Sequence, residues 1–308
     1  LQRSILMKNF IDIKDFSGEQ IKELLTAAIE NKSKNPSRNE ILSGKNFILF
    51  FEKNSTRTRL SFDLAIKQLG GSSIILNGSD IHLSSGKESL ADTIKTFSLY
   101  SDGVVMRVKS HQTLLDTLEV SSVPIVNGLS DLSHPCQCMA GLMTIIEEKG
   151  SLENLNILWF GPITNVAHSW IESHFKNLGF KLSIFSSNRL SDQYLSKISR
   201  YKENINLDGI IYNKIDDEIL SNADVIMTDT WQSMGEEIDD KMINELNDFK
   251  VTKSIMDRAN KDCIFMHCLP ANRYQEVEEL VIDGFNSRVW EEAVNRLYIQ
   301  KQILRKLL

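Results

Sequence analysis

The 308 residues of this chain are enough for two domains of about 150 residues, each able to bury its own core. Hydrophobic residues at 42% and charged residues at 25%, with 15 Gly and only 5 Pro, exclude a disordered or collagen-like chain. The balance of 35 Lys plus Arg against 41 Asp plus Glu leaves a net charge of −6 with no face-long basic run, so no nucleic-acid partner is expected.

At the N-terminus, residues 1–16 lack the apolar segment of about 7 to 15 residues that an export signal needs, which predicts a cytoplasmic protein. Met7 opens a more natural start than Leu1, and residues 1–6 read as a vector or tag remnant. No apolar run approaches the roughly 18 residues of a membrane span, so no membrane partner is expected. Apolar, β-rich runs then alternate with helical patterns. Strands are predicted over 46–51, 73–76, 103–108, 123–126, 156–160, 181–185, 224–228 and 264–267. Helices are predicted over 58–69, 89–99, 111–120, 136–148, 165–178 and 276–282. This alternation predicts an α/β fold of two doubly wound domains, each with a central parallel sheet flanked by helices. The junction falls in the helix over 136–148 and the turn-forming Lys149-Gly150-Ser151, giving domains over 1–136 plus 290–308 and over 137–289. The segment 289–308 carries Val289, Ala293, Leu297, Leu304 and Leu307 on one helical stripe, so it is expected to pack back on the first domain.

The cysteines Cys136, Cys138, Cys263 and Cys268 are too few and too unevenly spaced for a disulfide scaffold, and read as reduced thiols. His134, Cys136 and Cys138 with His267 and Cys268 are the nearest approach to a zinc set. They include no Cys-x-x-Cys, and alternate residues diverge on a helix, so no metal is expected.

Ligands of open α/β sheets bind at the carboxyl ends of strands, which directs attention to the residues after each run. Strand 46–51 is followed by Glu52-Lys53-Asn54-Ser55-Thr56-Arg57-Thr58-Arg59 and at once by a helical pattern. Unpaired N–H groups at a helix start, two hydroxyls and two guanidiniums make a phosphate cradle. The bland alternative is a Ser/Thr cap with surface arginines. Arg107, near the end of strand 103–108, offers a further guanidinium. After strand 123–126, Pro135 suits the first turn of a helix and sets His134 and Gln137 on neighbouring faces. An imidazole N–H polarises a carbonyl and an amide oxygen accepts from an NH2 group, a pairing that suits a carbamoyl fragment.

At this point Ser55-Thr56-Arg57-Thr58-Arg59 and His134-Pro135-Cys136-Gln137 resemble the Ser-Thr-Arg-Thr-Arg and His-Pro-x-Gln signatures of the aspartate and ornithine carbamoyltransferases. Asp229-Thr230-Trp231-Gln232-Ser233-Met234-Gly235 resembles the Asp-x-Trp-x-Ser-Met-Gly loop of the ornithine members. His267-Cys268-Leu269-Pro270 resembles their His-Cys-Leu-Pro motif. Aspartate members typically carry His-Pro-Leu-Pro-Arg there, and Ala271 stands in place of that arginine. The resemblance runs from about Met7 to the end. It implies that the first domain binds carbamoyl phosphate and the second binds ornithine, with no cofactor.

Carried over position by position, the resemblance gives Ser55, Thr56, Arg57 and Thr58 the phosphate and carbonyl oxygens of carbamoyl phosphate, with Arg107 as a second clamp. His134 and Gln137 hold the carbamoyl group, supported by Arg296 of the last helix. Asn165 meets the α-carboxylate of ornithine, Asp229 its α-amino group, and Ser233 with Met234 completes that end. Cys268 and the carbonyl of Leu269 border the carbamoyl group and orient the δ-amine. Arg57, Arg107, His134, Cys268 and Arg296 are thereby the implied catalytic set. The Leu269–Pro270 bond is expected to be cis. The loop over 80–89 corresponds to one that reaches a neighbouring subunit's site in a homotrimer, with His82 or Lys87 as the contact. Gly161-Pro162-Ile163-Thr164-Asn165 departs from the Gly-Asp start that many members show, and Ser84-Ser85-Gly86-Lys87 departs from the usual trans loop.

The implied reaction is attack of the uncharged δ-amine of ornithine on the carbamoyl carbon, with phosphate as leaving group and no covalent intermediate on Cys268. Putrescine or an N-acylated ornithine remains as an alternative acceptor, and arginine biosynthesis is the expected setting. A dinucleotide-dependent oxidoreductase, the main rival from another class, lacks any Gly-x-Gly pair.

Overall fold

The run Asn-Phe-Ile-Leu-Phe-Phe has no polar alternation, as expected of a strand covered on both faces. It forms β1 (Asn46–Phe51), with residues 47–51 all buried. In this computed structural model, which describes residues 7–34, 40–81, 86–203, 205–232 and 239–308, contacts divide the chain into two units. One comprises Leu1–Met143 with Val294–Leu308, the other Thr144–Ala293.

In the first unit, β2 (Ser72–Asn77), β1, β3 (Gly103–Arg107) and β4 (Ile125–Leu129) lie side by side in that order, all parallel. Ahead of them runs α1 (Gly18–Ser33), a helix absent from the sequence reading although Ser17 and Gln20 form a reciprocal capping box. The connections are α2 (Arg57–Gln68), α3 (Leu90–Tyr100) and α4 (His111–Val120), with α5 (Pro135–Lys149) leaving β4. Ile48, Phe50, Ile94, Phe97, Val104, Met106 and Leu114 form one buried cluster between sheet and helices. Strand β4 starts two residues later than expected and runs on through Asn127-Gly128-Leu129, where its register against β3 shifts between Met106 and Arg107. That shift inserts Gly128 as an extra residue.

The second unit has β7 (Ile211–Tyr212), β6 (Lys181–Phe185), β5 (Asn156–Phe160), β8 (Val225–Thr228) and β9 (Ile264–His267) in that order, again all parallel. Its helices are α6 (Asn165–His174), α7 (Asn188–Arg200), α8 (Asp217–Ser221), α9 (Asp240–Asn247), α10 (Lys253–Arg258) and α11 (Glu279–Ile282). Helix α6 stops at His174, short of the expected 178, and Gly179 follows with φ +102. Residues 276–278 are not helical: Val277 bridges Val251, and only 279–282 form α11. Strand β7 and helices α7 to α10 escape the sequence reading.

The final helix, α12 (Val289–Leu307), is amphipathic as expected. From Val294 onward it belongs to the first unit, where Lys32 Nζ donates to Asn295 Oδ1 at 2.8 Å and Asn31 Nδ2 to Gln302 Oε1 at 3.1 Å. Among the described residues, no helix is long and apolar enough to cross a membrane.

In each sheet the chain order reverses once. Connections leave β1 toward β2 on one side and run from β3 to β4 on the other; likewise β5 leads to β6 and β7, and β8 to β9. The carboxyl ends of β1 and β3, and those of β5 and β8, therefore border crevices in which side chains gather without a crossing connection.

Candidate active site

At the β1/β3 crevice, Phe51 and Arg107 are register partners, and Glu52 N donates to Arg107 O at 2.8 Å. The turn after β1 is thus tied to β3 before α2 begins. Ser55 Oγ accepts from Thr58 N at 3.2 Å, which ties the residue ahead of the Thr56 N-cap to the first turn of α2. Thr58, fully buried, accepts through Oγ1 from Arg296 Nη2 at 2.6 Å, a short charge-assisted bond. Gly128 makes room for this turn, since a Cβ there would lie 3.4 Å from Thr58 Cγ2 and 3.1 Å from Met106 O.

Arg107, His134, Gln137 and Arg296 are all buried in the same unit. Burial pushes the His134 imidazole well below its usual range, and the guanidiniums of Arg296, Arg107 and Arg57 push it further the same way. The ring is neutral at physiological pH, and three cations stand near it. The structure therefore brings Ser55, Arg57, Thr58, Arg107, His134, Gln137 and Arg296 into one electropositive region, with exposed Thr56 beside it. Arg59 is a correction to the cradle as read from sequence. Its Nη2 donates to Asn77 Oδ1 on β2, and its guanidinium lies over the Phe51 ring at 5.4 Å, so it fastens α2 to the sheet.

Behind His134 lies a network that the sequence reading missed. Ser133 Oγ donates to Asp12 Oδ1 and accepts from Asn127 Nδ2 at 2.9 Å. His111 Nε2 stands 3.2 Å from Asp12 Oδ2, and its Nδ1 lies 2.8 Å from Ser130 Oγ. Burial pushes the Asp12 carboxyl up, but the hydrogen bond and charge of His111, with Lys14 and Ser133, outweigh it and hold the group at about 2. An anionic Asp12 therefore braces the turn that delivers His134.

At the β5/β8 crevice, Asp229 follows β8 directly and is buried. Its Oδ2 accepts from Thr164 Oγ1 at 2.9 Å, and its Oδ1 from Thr230 N at 2.7 Å and Cys268 Sγ at 2.6 Å. Thr164 caps α6 through Ala167 N, and Asn165 is the first residue of that helix. The structure thus joins Asp229 to Cys268 and sets Asn165 one residue from the Asp229 partner Thr164. Gly161, at φ +100, turns the chain out of β5 under the Trp231 indole, where a Cβ would lie 3.2 Å from Nε1. After β9, His267 Nδ1 accepts from Leu269 N at 2.9 Å, and its Nε2 faces Glu276 Oε1 at 3.2 Å. Leu269 takes φ +53, and the Leu269–Pro270 bond is cis. Thr164 and Glu276 carry no signal in the sequence as partners of the motif residues.

Ser233, Met234 and His82 lie outside the described residues; Lys87 is exposed. Asp229, His267 and Cys268 place donor atoms within 4.8 Å of one another, but both nitrogens of His267 are taken up by Leu269 N and Glu276. Cys136 is buried, and that burial pushes its thiol up to about 12.

Two open parallel sheets, one with cations around a neutral imidazole and the other with a carboxylate held by hydroxyl and thiol donors, define a group-transfer enzyme that handles an anion and an amino compound. Residues 8–147 match the aspartate/ornithine carbamoyltransferase carbamoyl-P binding domain, and residues 153–307 the corresponding Asp/Orn binding domain. The chain belongs to the aspartate/ornithine carbamoyltransferase family. It is 37% identical to the ornithine carbamoyltransferase of Rhizorhabdus wittichii over 97% of both chains, and 39% identical to that of Hydrogenovibrio crunogenus over 98% of both. The structure of ornithine carbamoyltransferase from Pyrococcus furiosus matches with a TM-score of 0.84 at 35% identity, covering 98% of this chain and 97% of that one. The anabolic enzyme from Campylobacter jejuni matches with 0.82 at 37% identity, covering 97% and 98%.

Proposed function

We propose that this chain transfers the carbamoyl group of carbamoyl phosphate to the δ-amino group of L-ornithine, giving L-citrulline and phosphate (EC 2.1.3.3). The observation that carries the reading is the neutral, buried His134 beside Arg57, Arg107 and Arg296. A dianionic acyl phosphate, with its polarisable carbonyl, is the kind of ligand such a site favours. In this reading Ser55, Thr56, Arg57, Thr58 and Arg107 hold the phosphate at the N-terminus of α2. His134 and Gln137 hold the carbamoyl group, and Arg296 acts through Thr58 as well as on the ligand.

The chemistry follows from these placements. As the amine attacks, negative charge grows on the carbonyl oxygen, and fixed guanidiniums with a neutral imidazole donor stabilise it without reorganising. The carbon–oxygen bond to phosphate then breaks, and phosphate leaves with the proton given up by the attacking amine. On the acceptor side, Asp229 offers about four lone-pair positions, three of them taken by Thr164, Thr230 and Cys268, which leaves one for the α-amino group of ornithine. Asn165 meets the α-carboxylate, and Cys268 with the Leu269 carbonyl orients the δ-amine. Ser233 and Met234 belong to the reading on their motif. Cys268 donates its S–H to Asp229, which suits orientation rather than nucleophilic attack.

The relatives named ornithine carbamoyltransferase support this substrate pair, and the name of the anabolic Campylobacter enzyme supports a biosynthetic direction. Arginine formation in the cytoplasm is the setting we assign to it. We place the active form as a homotrimer in which the loop carrying His82 and exposed Lys87 serves a neighbouring subunit. Lys87→Ala is then expected to lower kcat with little change in thermal stability, and an unchanged kcat removes that role.

The deciding experiment is a colour assay for the ureido product with carbamoyl phosphate and L-ornithine, L-aspartate, putrescine or N-acetylornithine in parallel. Product with ornithine alone is expected. Product with another amine keeps the carbamoyl half and overturns the reading of Asp229 and Cys268; no product with any amine overturns both.

A further inference from the structure

The second unit holds a buried cluster that the proposed reaction does not use. His168 and Glu172 lie one turn apart on the same face of α6, and Glu203 follows the end of α7. His168 and Glu172 are buried, and the Glu203 side chain is only 10% exposed. His168 Nε2 stands 3.5 Å from Glu172 Oε1 and 3.4 Å from Glu203 Oε2, and the three donor atoms lie within 4.8 Å of one another.

These spacings exceed the usual N–H···O range of about 2.7 to 3.2 Å. They match a different geometry. With metal–nitrogen and metal–oxygen bonds of about 2.1 Å, a tetrahedral angle sets neighbouring donors about 3.4 Å apart. The donor types suit a divalent cation as well, with two carboxylates and one imidazole facing one another. On its far side the ring is oriented by Tyr194, whose Oη lies 2.8 Å from Nδ1. A ring held at Nδ1 presents Nε2 to the two carboxylates, the arrangement common to metal-ligating histidines.

We propose that His168, Glu172 and Glu203 bind one divalent transition-metal ion, Zn2+ by the match of one nitrogen and two oxygens to a tetrahedral site closed by water, which fastens α6 to the end of α7. The ion acts on stability and takes no part in carbamoyl transfer.

The test titrates the full-length, chelator-stripped protein with Co2+. A tetrahedral nitrogen–oxygen site gives visible ligand-field absorption without a thiolate-to-cobalt charge-transfer band, which separates it from binding at Cys268. The expected result is one such ion per chain, displaced by Zn2+, with a rise in thermal midpoint on Zn2+ addition. Glu203→Gln and Glu172→Gln are each expected to weaken Zn2+ by at least about tenfold and to abolish the rise in midpoint, while Cys268→Ser preserves both. Absence of the cobalt signal in the unsubstituted protein, a signal made only of thiolate charge transfer, or unchanged Zn2+ affinity in Glu203→Gln overturns the proposal and leaves a proton-sharing His–Glu–Glu triad.

Discussion

Replacing Asp12 by Asn removes one buried negative charge and almost no volume. Asp12 is 1% exposed, bonded to Ser133 and 3.2 Å from His111. Its carboxyl is held at about 2 rather than 3.8. At about 1.4 kcal/mol for each tenfold change in proton affinity, the anion contributes about 2 kcal/mol to folding at neutral pH. The folded value lies below the unfolded one, so this stability is present above about pH 4 and is lost as the pH falls through about 2. For a unit of about 160 residues, 2 kcal/mol corresponds to a fall of roughly 4 to 8 °C in the thermal midpoint. Thermal unfolding of Asp12→Asn and the parent at pH 7 and pH 3 checks this, with the gap expected to shrink at the lower pH. The turn braced by Asp12 ends at His134. If about half of that energy holds the turn, kcat/KM for carbamoyl phosphate drops about fivefold. A midpoint within about 1 °C of the parent at pH 7, or a gap that does not narrow on acidification, refutes the account.

Thr58→Val keeps the shape of the side chain but removes the acceptor for the buried Arg296 guanidinium, a charge-assisted bond of about 1.5 to 3 kcal/mol. The KM for carbamoyl phosphate should rise at least about tenfold with Thr58→Ser restoring it, and equal KM values in Thr58→Val and the parent would disprove the link. Because burial and three guanidiniums hold His134 neutral, kcat/KM should show no break near pH 6.5 and should rise toward the δ-amine's range, about 10. A break near 6.5 that disappears in His134→Gln would mean that the ring protonates there. Burial pushes Cys136 and Cys263 up to about 12, Cys138 is buried with them, and Cys268 alone is half-buried. Ellman's reagent at pH 8 should titrate one thiol quickly and the other three only after unfolding; more than one fast thiol counts against the burial.

The strands were legible because parallel strands covered on both faces appear as continuous apolar runs, as at Asn46–Phe51 and Asn156–Phe160. The missed helices are of two kinds. Helices α8 and α10 have only five and six residues, too few for periodicity to stand out. Helix α7 buries Leu190, Tyr194 and Ile198 at a clean four-residue spacing behind a Ser187 cap, so its signal is present in the sequence. Strand β4 was set two residues early because Gly128 and Asn127 read as a turn, whereas Gly128 fills a register shift that admits Thr58.

The candidate site divides along the same physical line. Motif residues at strand ends were visible because each short stretch holds its own chemistry. Their partners were not, because pairing depends on which strands become neighbours. Thr164 reaches Asp229 because β5 and β8 lie side by side, although 65 residues separate the two. Ser133 reaches Asp12 across 121 residues because the segment at Phe10 bridges Val126 on β4. Arg59 shows the converse: it stands inside the best motif of the chain, yet the adjacency of β1 and β2 supplies Asn77 and draws it away from the cradle. A local motif thus identifies the groups able to meet an anion, and sheet order decides which of them are left to do so. Substitutions at Asp12, Thr164 and Asn77 therefore probe the site as directly as those within the motifs.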